Sequence, residues 1–264
     1  VISFRALASL TAITIFASGC KNAPATTTSL ASASIASSAP VASVAPSSTS
    51  SADSAIAIAA PSSSPDDFLG RVPAQPMSYQ GAWWLDRANR DETQKPEHVL
   101  DVIGVHAGQT VADVGCGSGY FSVHLAKRVG STGRVLASDL QPEMLALLEK
   151  KVQAAHLTNI TPILATEADA KLPPSSVDIA LFVDVYHELT HPLVTMTQVK
   201  AALRDGGKVV LVEYRAEDPN VDIKPDHKTT LPQLKKELAA EGFTFVASDE
   251  SLPEQRIVTF VPNR

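Results

Sequence analysis

The chain has 264 residues, of which 44% are apolar, 5% aromatic and 19% charged, and its formal net charge at pH 7 is −6. That length allows one or two domains, and an acidic balance argues against a nucleic-acid partner, which requires basic surface to neutralise phosphates. All but three of the charged residues lie beyond Pro65, so the chain divides into an uncharged beginning and a charged remainder.

Residues 1–20 read VISFRALASLTAITIFASGC, with Arg5 near the start, an apolar run over 6–16 and the small residues Ala17, Ser18 and Gly19 before Cys20. The apolar run is too short to span a bilayer as a mature helix but suits a cleaved segment. It resembles a bacterial lipoprotein signal, although Ala17 stands where leucine is usual. The resemblance implies removal of 1–19, a lipid on Cys20, membrane attachment through that lipid with no transmembrane helix in the mature chain, and a place in the cell envelope. A buried N-terminal helix and a cytoplasmic location are the alternatives. Residues 21–65 are almost wholly Ala, Ser, Thr, Pro and Val, with Lys21 and Asp53 the only charges. Such a segment has too few large side chains to offset its chain entropy, so 20–66 is expected to be a tether. The rest, 67–264, is one domain of ordinary size. With Cys20 assigned to a lipid, only Cys116 remains, which leaves no disulfide framework or cysteine zinc site.

Within this domain, 67–100 form a cap ahead of a 101–264 core. The cap holds Trp83 and Trp84, the chain's only tryptophans, and Pro96 with Val99, Leu100 and Val102 suggests a helix leading into the first strand. Residues 110–114 are β-branched and apolar except Asp113, and 120–129 carry apolar residues at helical spacing. Between them Gly115, Cys116, Gly117 and Gly119 form a strand-to-helix loop reading G-x-G-x-G. Glycines there permit positive φ and close approach to a ligand, and the helix start presents backbone N–H groups. A dinucleotide fingerprint would need glycine at Tyr120.

A second strand, 134–139, ends in Asp139, which lies 20 residues beyond Gly119, where nucleotide-binding α/β folds place a ribose-binding carboxylate. A helix over 142–156, a strand over 160–165 and the stretch EADAKLPPSSVD follow. A fourth strand, 177–185, is continuously apolar apart from Asp178 and Asp184, as expected for a strand buried on both faces. Residues 203–214 read as a helix end, a Gly206–Gly207 turn and a fifth strand, followed by a helix over 231–241 and strands over 243–248 and 256–261. The last two strands must be antiparallel, because their connection is too short for a crossover.

The loop and this order of elements resemble the class I S-adenosylmethionine-dependent methyltransferases over roughly residues 95–262. The resemblance implies a Rossmann-like, doubly wound α/β fold with a mostly parallel seven-stranded sheet and an antiparallel C-terminal hairpin. It implies S-adenosylmethionine as cofactor, and the acidic chain and its resemblance to quinone-pathway enzymes favour a small-molecule methyl acceptor. Carried over residue by residue, Asp113 and the glycines 115, 117 and 119, with Cys116, would hold the methionine part. Asp139 and Leu140 would meet the ribose, and Asp169 and Ala170 the adenine. Asp184 and His187 would face methyl transfer as positioning or proton-accepting groups. Arg87, Arg90 and Glu92 would line the entrance or grip the methionine carboxylate, against the alternative of a solvated helix face with both tryptophans buried.

Residues 187–191 also read His-Glu-Leu-Thr-His, the H-E-x-x-H pattern of zinc metallopeptidases, in which His187 and His191 bind zinc and Glu188 activates water. Against it, Pro192 ends any helix at the second ligand, and no third ligand is marked. No metal ligand is therefore assigned from the sequence. A non-catalytic ligand-binding domain is the remaining alternative.

Overall fold

A computed structural model of the chain describes residues 68–263. The expected signal (1–19), Cys20 and the tether (20–66) lie outside the described residues. Among the described residues, seven strands form one sheet: β1 Thr110–Val114, β2 Arg134–Asp139, β3 Ile160–Leu164, β4 Val177–Val183, β5 Leu203–Tyr214, β6 Phe243–Asp249 and β7 Gln255–Pro262. Their order is β3-β2-β1-β4-β5-β7-β6; the first five are parallel, and β7 runs antiparallel to both β5 and β6. This is the expected fold, including the hairpin.

Strand periodicity builds the core. Val111, Val135, Ala137, Ile179, Leu181, Val210 and Val212 face one layer. The alternate residues Ala112, Leu136, Ala180, Phe182, Val209 and Leu211 face the other. Onto the first layer pack the helices α2 Pro96–Val102, α3 Tyr120–Val129 and α4 Pro142–Ala154, through Val99, Leu100, Phe121, Leu125 and Leu148. Helices α5 Pro192–Ala202 and α6 Leu231–Ala240 cover the second through Met196, Val199, Leu234 and Leu238. A short α1, Arg90–Gln94, and a 3-10 helix, Tyr79–Asp86, precede them. At about 1.5–3 kcal/mol for each large apolar side chain fully buried, these two layers are the main stabilising contribution. No helix among the described residues is long and apolar enough to cross a membrane.

Several boundaries differ from expectation. The fourth strand ends at Val183, because Asp184 takes a left-handed φ of +56° that breaks the extended backbone. The expected turn at Gly206–Gly207 lies inside β5: Leu203 already pairs with Val177, and Arg204–Gly207 bulge out before Lys208 pairs with Ile179. Pairing supplied by β4 overrides the local turn preference there. Helix α4 stops at Ala154 and α6 at Ala240, just short of the left-handed His156 and Gly242. Trp83 is 73% exposed, so the two tryptophans are not both buried against the sheet.

Candidate functional site

Strands β1 and β4 are neighbours although two strands separate them in sequence, so chain connections diverge on either side of them. In open α/β sheets the crevice at this reversal, outside the carboxyl ends of the strands, is the ligand position. A cavity of about 570 Å³ opens here, within the size range of small-molecule sites.

The loop after β1 forms one wall through Gly115, Cys116 and Gly117. Gly119, at φ +83°, begins α3, and a Cβ there would overlap Leu148 Cδ1. A Cβ on Gly115 would lie 2.5 Å from Val185 Cγ2. The loop is tied to β2, since Gly115 and Cys116 N–H donate to Ser138 O at 2.7 and 3.0 Å. Asp139 completes the tie: Gly117 N–H donates to its Oδ2 at 2.8 Å and Gln141 N–H to its Oδ1 at 2.9 Å. A carboxylate offers about four acceptor positions, so about two remain for a ligand. Gln141 in turn donates to Met77 O at 2.8 Å and accepts from Tyr79 N–H at 2.9 Å, which brings the cap over the cavity.

Leu140, Ala170, Asp184 and His187 also line the cavity, as do Arg90 and Met144. Three of the core residues assigned to the cofactor from the sequence do not. Asp113 is 2% exposed and turned toward α3, where it accepts Ser122 Oγ–H at 2.5 Å; burial, partly offset by that bond, lifts its carboxyl to about 6. Asp169 accepts Lys171 N–H at 2.7 Å and pairs with Lys171 Nζ at 2.9 Å, and only its neighbour Ala170 reaches the wall. Gly119 sits behind the wall, against α4. The Cys116 thiol is pushed well up by burial, so it stays protonated and is no nucleophile.

Asp184 is clamped. Gln94 Nε2 donates to its Oδ2 at 2.8 Å and Gln255 Nε2 to its Oδ1 at 2.6 Å, both from residues only 1% exposed. Arg90 Nε donates to Gln94 Oε1 at 2.6 Å, so Gln94 is oriented from behind. Burial first, then the nearby Glu213 charge, raise Asp184 to about 6. Arg87 stacks over Trp84, 3.8 Å from the ring centroid, and Glu92 is exposed. Of the three cap residues proposed for the entrance, Arg90 alone lines the cavity.

His187 is 1% exposed, and its Nδ1 lies 2.6 Å from Oε2 of Glu213, which is fully buried. Burial alone would depress the imidazole, but the Glu213 carboxylate outweighs it and raises His187 to about 9. Glu213 Oε1 accepts Tyr186 N–H, and the His187 carbonyl accepts from Arg71 NH1 and Ala74 N–H, at 2.9–3.0 Å, so backbone and ring are both fixed. Burial raises Glu188 to about 8.

The His-Glu-Leu-Thr-His run does not lie on one helix. Tyr186–Glu188 form a single 3-10 turn, Leu189 is extended, and His191 precedes α5 at φ −126° and ψ +57°. His187 and His191 therefore do not share the helical face that the peptidase pattern requires. The neighbour of His187 is His227, at a ring-centroid distance of 5.2 Å. Sequence analysis missed Gln94, Glu213, His227 and Gln255. Glu213 carried the one available signal, an acid that closes the apolar run 209–212.

Comparisons with known proteins point the same way as this geometry. Residues 111–207 match a family described as "Methyltransferase domain". A demethylmenaquinone methyltransferase from Oceanobacillus iheyensis is 27% identical over 111 residues, covering 42% of this chain and 47% of that protein. A ubiquinone biosynthesis O-methyltransferase from Xanthomonas euvesicatoria is 30% identical over 142 residues, covering 49% and 54%. The chain thus spans about half the length of the curated relatives it matches. The crystal structure of a SAM-dependent methyltransferase from Aquifex aeolicus superposes with a TM-score of 0.67 at 26% identity, over 70% of this chain and 98% of that one.

Proposed function

We propose that this chain is an S-adenosylmethionine-dependent methyltransferase acting on a small-molecule acceptor. The observation that carries this is Asp139, which ties the glycine loop after β1 to the turn after β2 and keeps acceptor positions on the cavity wall. The cavity fits the cofactor in three respects. A Cβ at Gly115 or Gly117 would press against Val185 or Leu85, so the loop backbone is held close to neighbouring walls with no side chain intervening. Leu140, Met144 and Ala170 offer an apolar slot for a base. Arg90, at the far side beside Asp184, supplies a cation for a carboxylate.

The cofactor contributes a sulfonium-bound, electrophilic methyl group. The chain's own residues bind and orient. Asp139 takes the ribose hydroxyls, Arg90 takes the methionine carboxylate, and Asp184, held by two glutamine amides, fixes the floor between them. Good alignment of nucleophile and methyl supplies most of the rate in such a reaction. His187, oriented by Glu213, presents Nε2 on the acceptor side. A small acceptor is supported by the cavity size, the acidic chain and the relatives named for quinone precursors.

Mass spectrometry of small molecules carried through native purification tests the proposal. S-adenosylmethionine or its demethylated product, lost in Asp139→Ala, is the expected result. Purified, folded protein that carries neither and takes up neither on soaking would overturn it.

A further inference from the structure

Among the buried polar side-chain atoms of the cavity lining that lack a hydrogen-bond partner, one is a ring nitrogen. His187 Nε2 is buried and has no hydrogen-bond partner among the described residues, although its Nδ1 is fully engaged by Glu213. A buried nitrogen without a hydrogen-bond partner is destabilising, so a ring locked in this orientation from behind calls for a partner in front. The side chains in front are Glu188 and His227. One donor atom each from His187, Glu188 and His227 lie within 4.8 Å of one another.

The three come from two segments distant in sequence. His187 and Glu188 come from the turn after β4, and His227 from the short 3-10 segment Pro225–His227. Arg215 bridges to Thr229 two residues beyond it, which anchors that segment near the end of β5. His227 Nδ1 lies 3.0 Å from Asp226 Oδ1, so both imidazoles have a carboxylate at Nδ1 and Nε2 left over. A carboxylate behind an imidazole is the usual support of a metal-binding histidine, because it fixes the tautomer and raises ligand basicity.

We propose that His187, Glu188 and His227 bind a divalent transition-metal ion, with zinc the best match, leaving an open position toward the cavity. Two imidazoles, one carboxylate and an open site are a donor set for zinc or iron(II) and not for magnesium or calcium, which prefer oxygen ligands. Ligands of a tetrahedral zinc sit about 3.3 Å apart, given bonds of about 2.0–2.1 Å. The trio thus needs to close by at most about 1.5 Å, within reach of side-chain rotation at the partly buried His227. His191, the second histidine of the sequence pattern, takes no part. Resting on the methyltransferase proposal, the open position would take an acidic oxygen of the acceptor, such as a phenol or carboxylate, and favour its ionised form beside the cofactor.

Zinc titration of the chelator-stripped full chain by calorimetry, with cobalt(II) as a spectroscopic probe, tests the site. One ion per chain is expected, with visible cobalt bands of a four- or five-coordinate centre. His227→Ala, at a partly buried position that leaves the core untouched, should weaken zinc binding at least tenfold. Glu213→Gln should weaken it about 10–100-fold through the support of His187. His191→Ala should leave it unchanged. Absence of stoichiometric zinc, equal loss in His191→Ala and His227→Ala, or full affinity in His227→Ala would each overturn the site. S-adenosylmethionine titrated on the same preparation separates the two proposals: zinc without cofactor retains the metal site and removes the methyltransferase, and cofactor without zinc does the reverse.

Discussion

Replacing Asp184 probes whether the cavity floor is held by charge or by hydrogen-bond geometry. In Asp184→Ala, the Nε2 groups of Gln94 and Gln255 both lose their acceptor while remaining 1% exposed. Each orphaned donor costs about 1–3 kcal/mol, and alanine at φ +56° adds about 1 kcal/mol. Against this, the wild-type carboxyl is raised to about 6, so removing it relieves on the order of 2–3 kcal/mol of charge burial at neutral pH. At mid-range values the net is a loss of about 2–3 kcal/mol, or about 5–10 °C in Tm for a domain of this size. Asp184→Asn behaves differently. Asparagine tolerates the left-handed backbone, its oxygen can serve Gln94, whose own amide is fixed by Arg90, and Gln255 can turn its amide to meet the new NH2 group. Its cost should be under about 1.5 kcal/mol. Thermal and urea unfolding of the two variants at pH 7 give the comparison. Equal stability of Asp184→Ala and Asp184→Asn would refute the clamp.

Gly119→Ala should cost about 2–4 kcal/mol by urea unfolding, from positive φ plus overlap with the buried Leu148; unchanged stability would contradict the close approach of α3 and α4 at this glycine. Arg71→Met removes the counter-charge of the fully buried Glu237 and should cost about 3–5 kcal/mol by the same measurement. Glu241 is raised to about 8 by burial, and Tyr186 Oη, which lies 2.9 Å from Glu237 and 3.1 Å from Glu241, can give its proton to only one of them. The folded chain therefore retains a proton that the unfolded chain releases near pH 4.5, and stability falls as pH rises from there to about 8. Glu241→Gln should exceed wild type by on the order of 2–4 kcal/mol at pH 8.5, with the gap closing at pH 4.5; a pH-independent gap would contradict this.

Local pattern made the sheet legible. Short, nearly continuous apolar runs over 110–114, 134–139 and 177–183, punctuated by the glycine loop and Pro142, fix element type and order, and the short final connection fixes the antiparallel hairpin. What stayed hidden depends on contacts distant in sequence. Leu203 joins β5 only because Val177 pairs with it, while Arg204, Asp205 and two glycines read locally as a turn. The clamp on Asp184 comes from residues 90 positions before and 71 after it, in segments with no distinguishing composition. The neighbour of His187 was hidden for the same reason. Spacing pointed to His191, four residues on, whereas the return of the chain past β5 brings His227 instead.

If the cavity between β1 and β4 binds S-adenosylmethionine through Asp139 and the glycine loop, calorimetric titration of the cofactor into the full chain will register it. One cofactor bound per chain is predicted. Asp139→Asn keeps an oxygen for one of the two backbone N–H groups that bond Asp139 and should remain folded, yet it removes charged acceptors worth about 1.5–3 kcal/mol to the ribose hydroxyls, a loss of roughly 10–100-fold in affinity. No binding to a folded wild-type chain, or the same affinity in Asp139→Asn, would contradict the account.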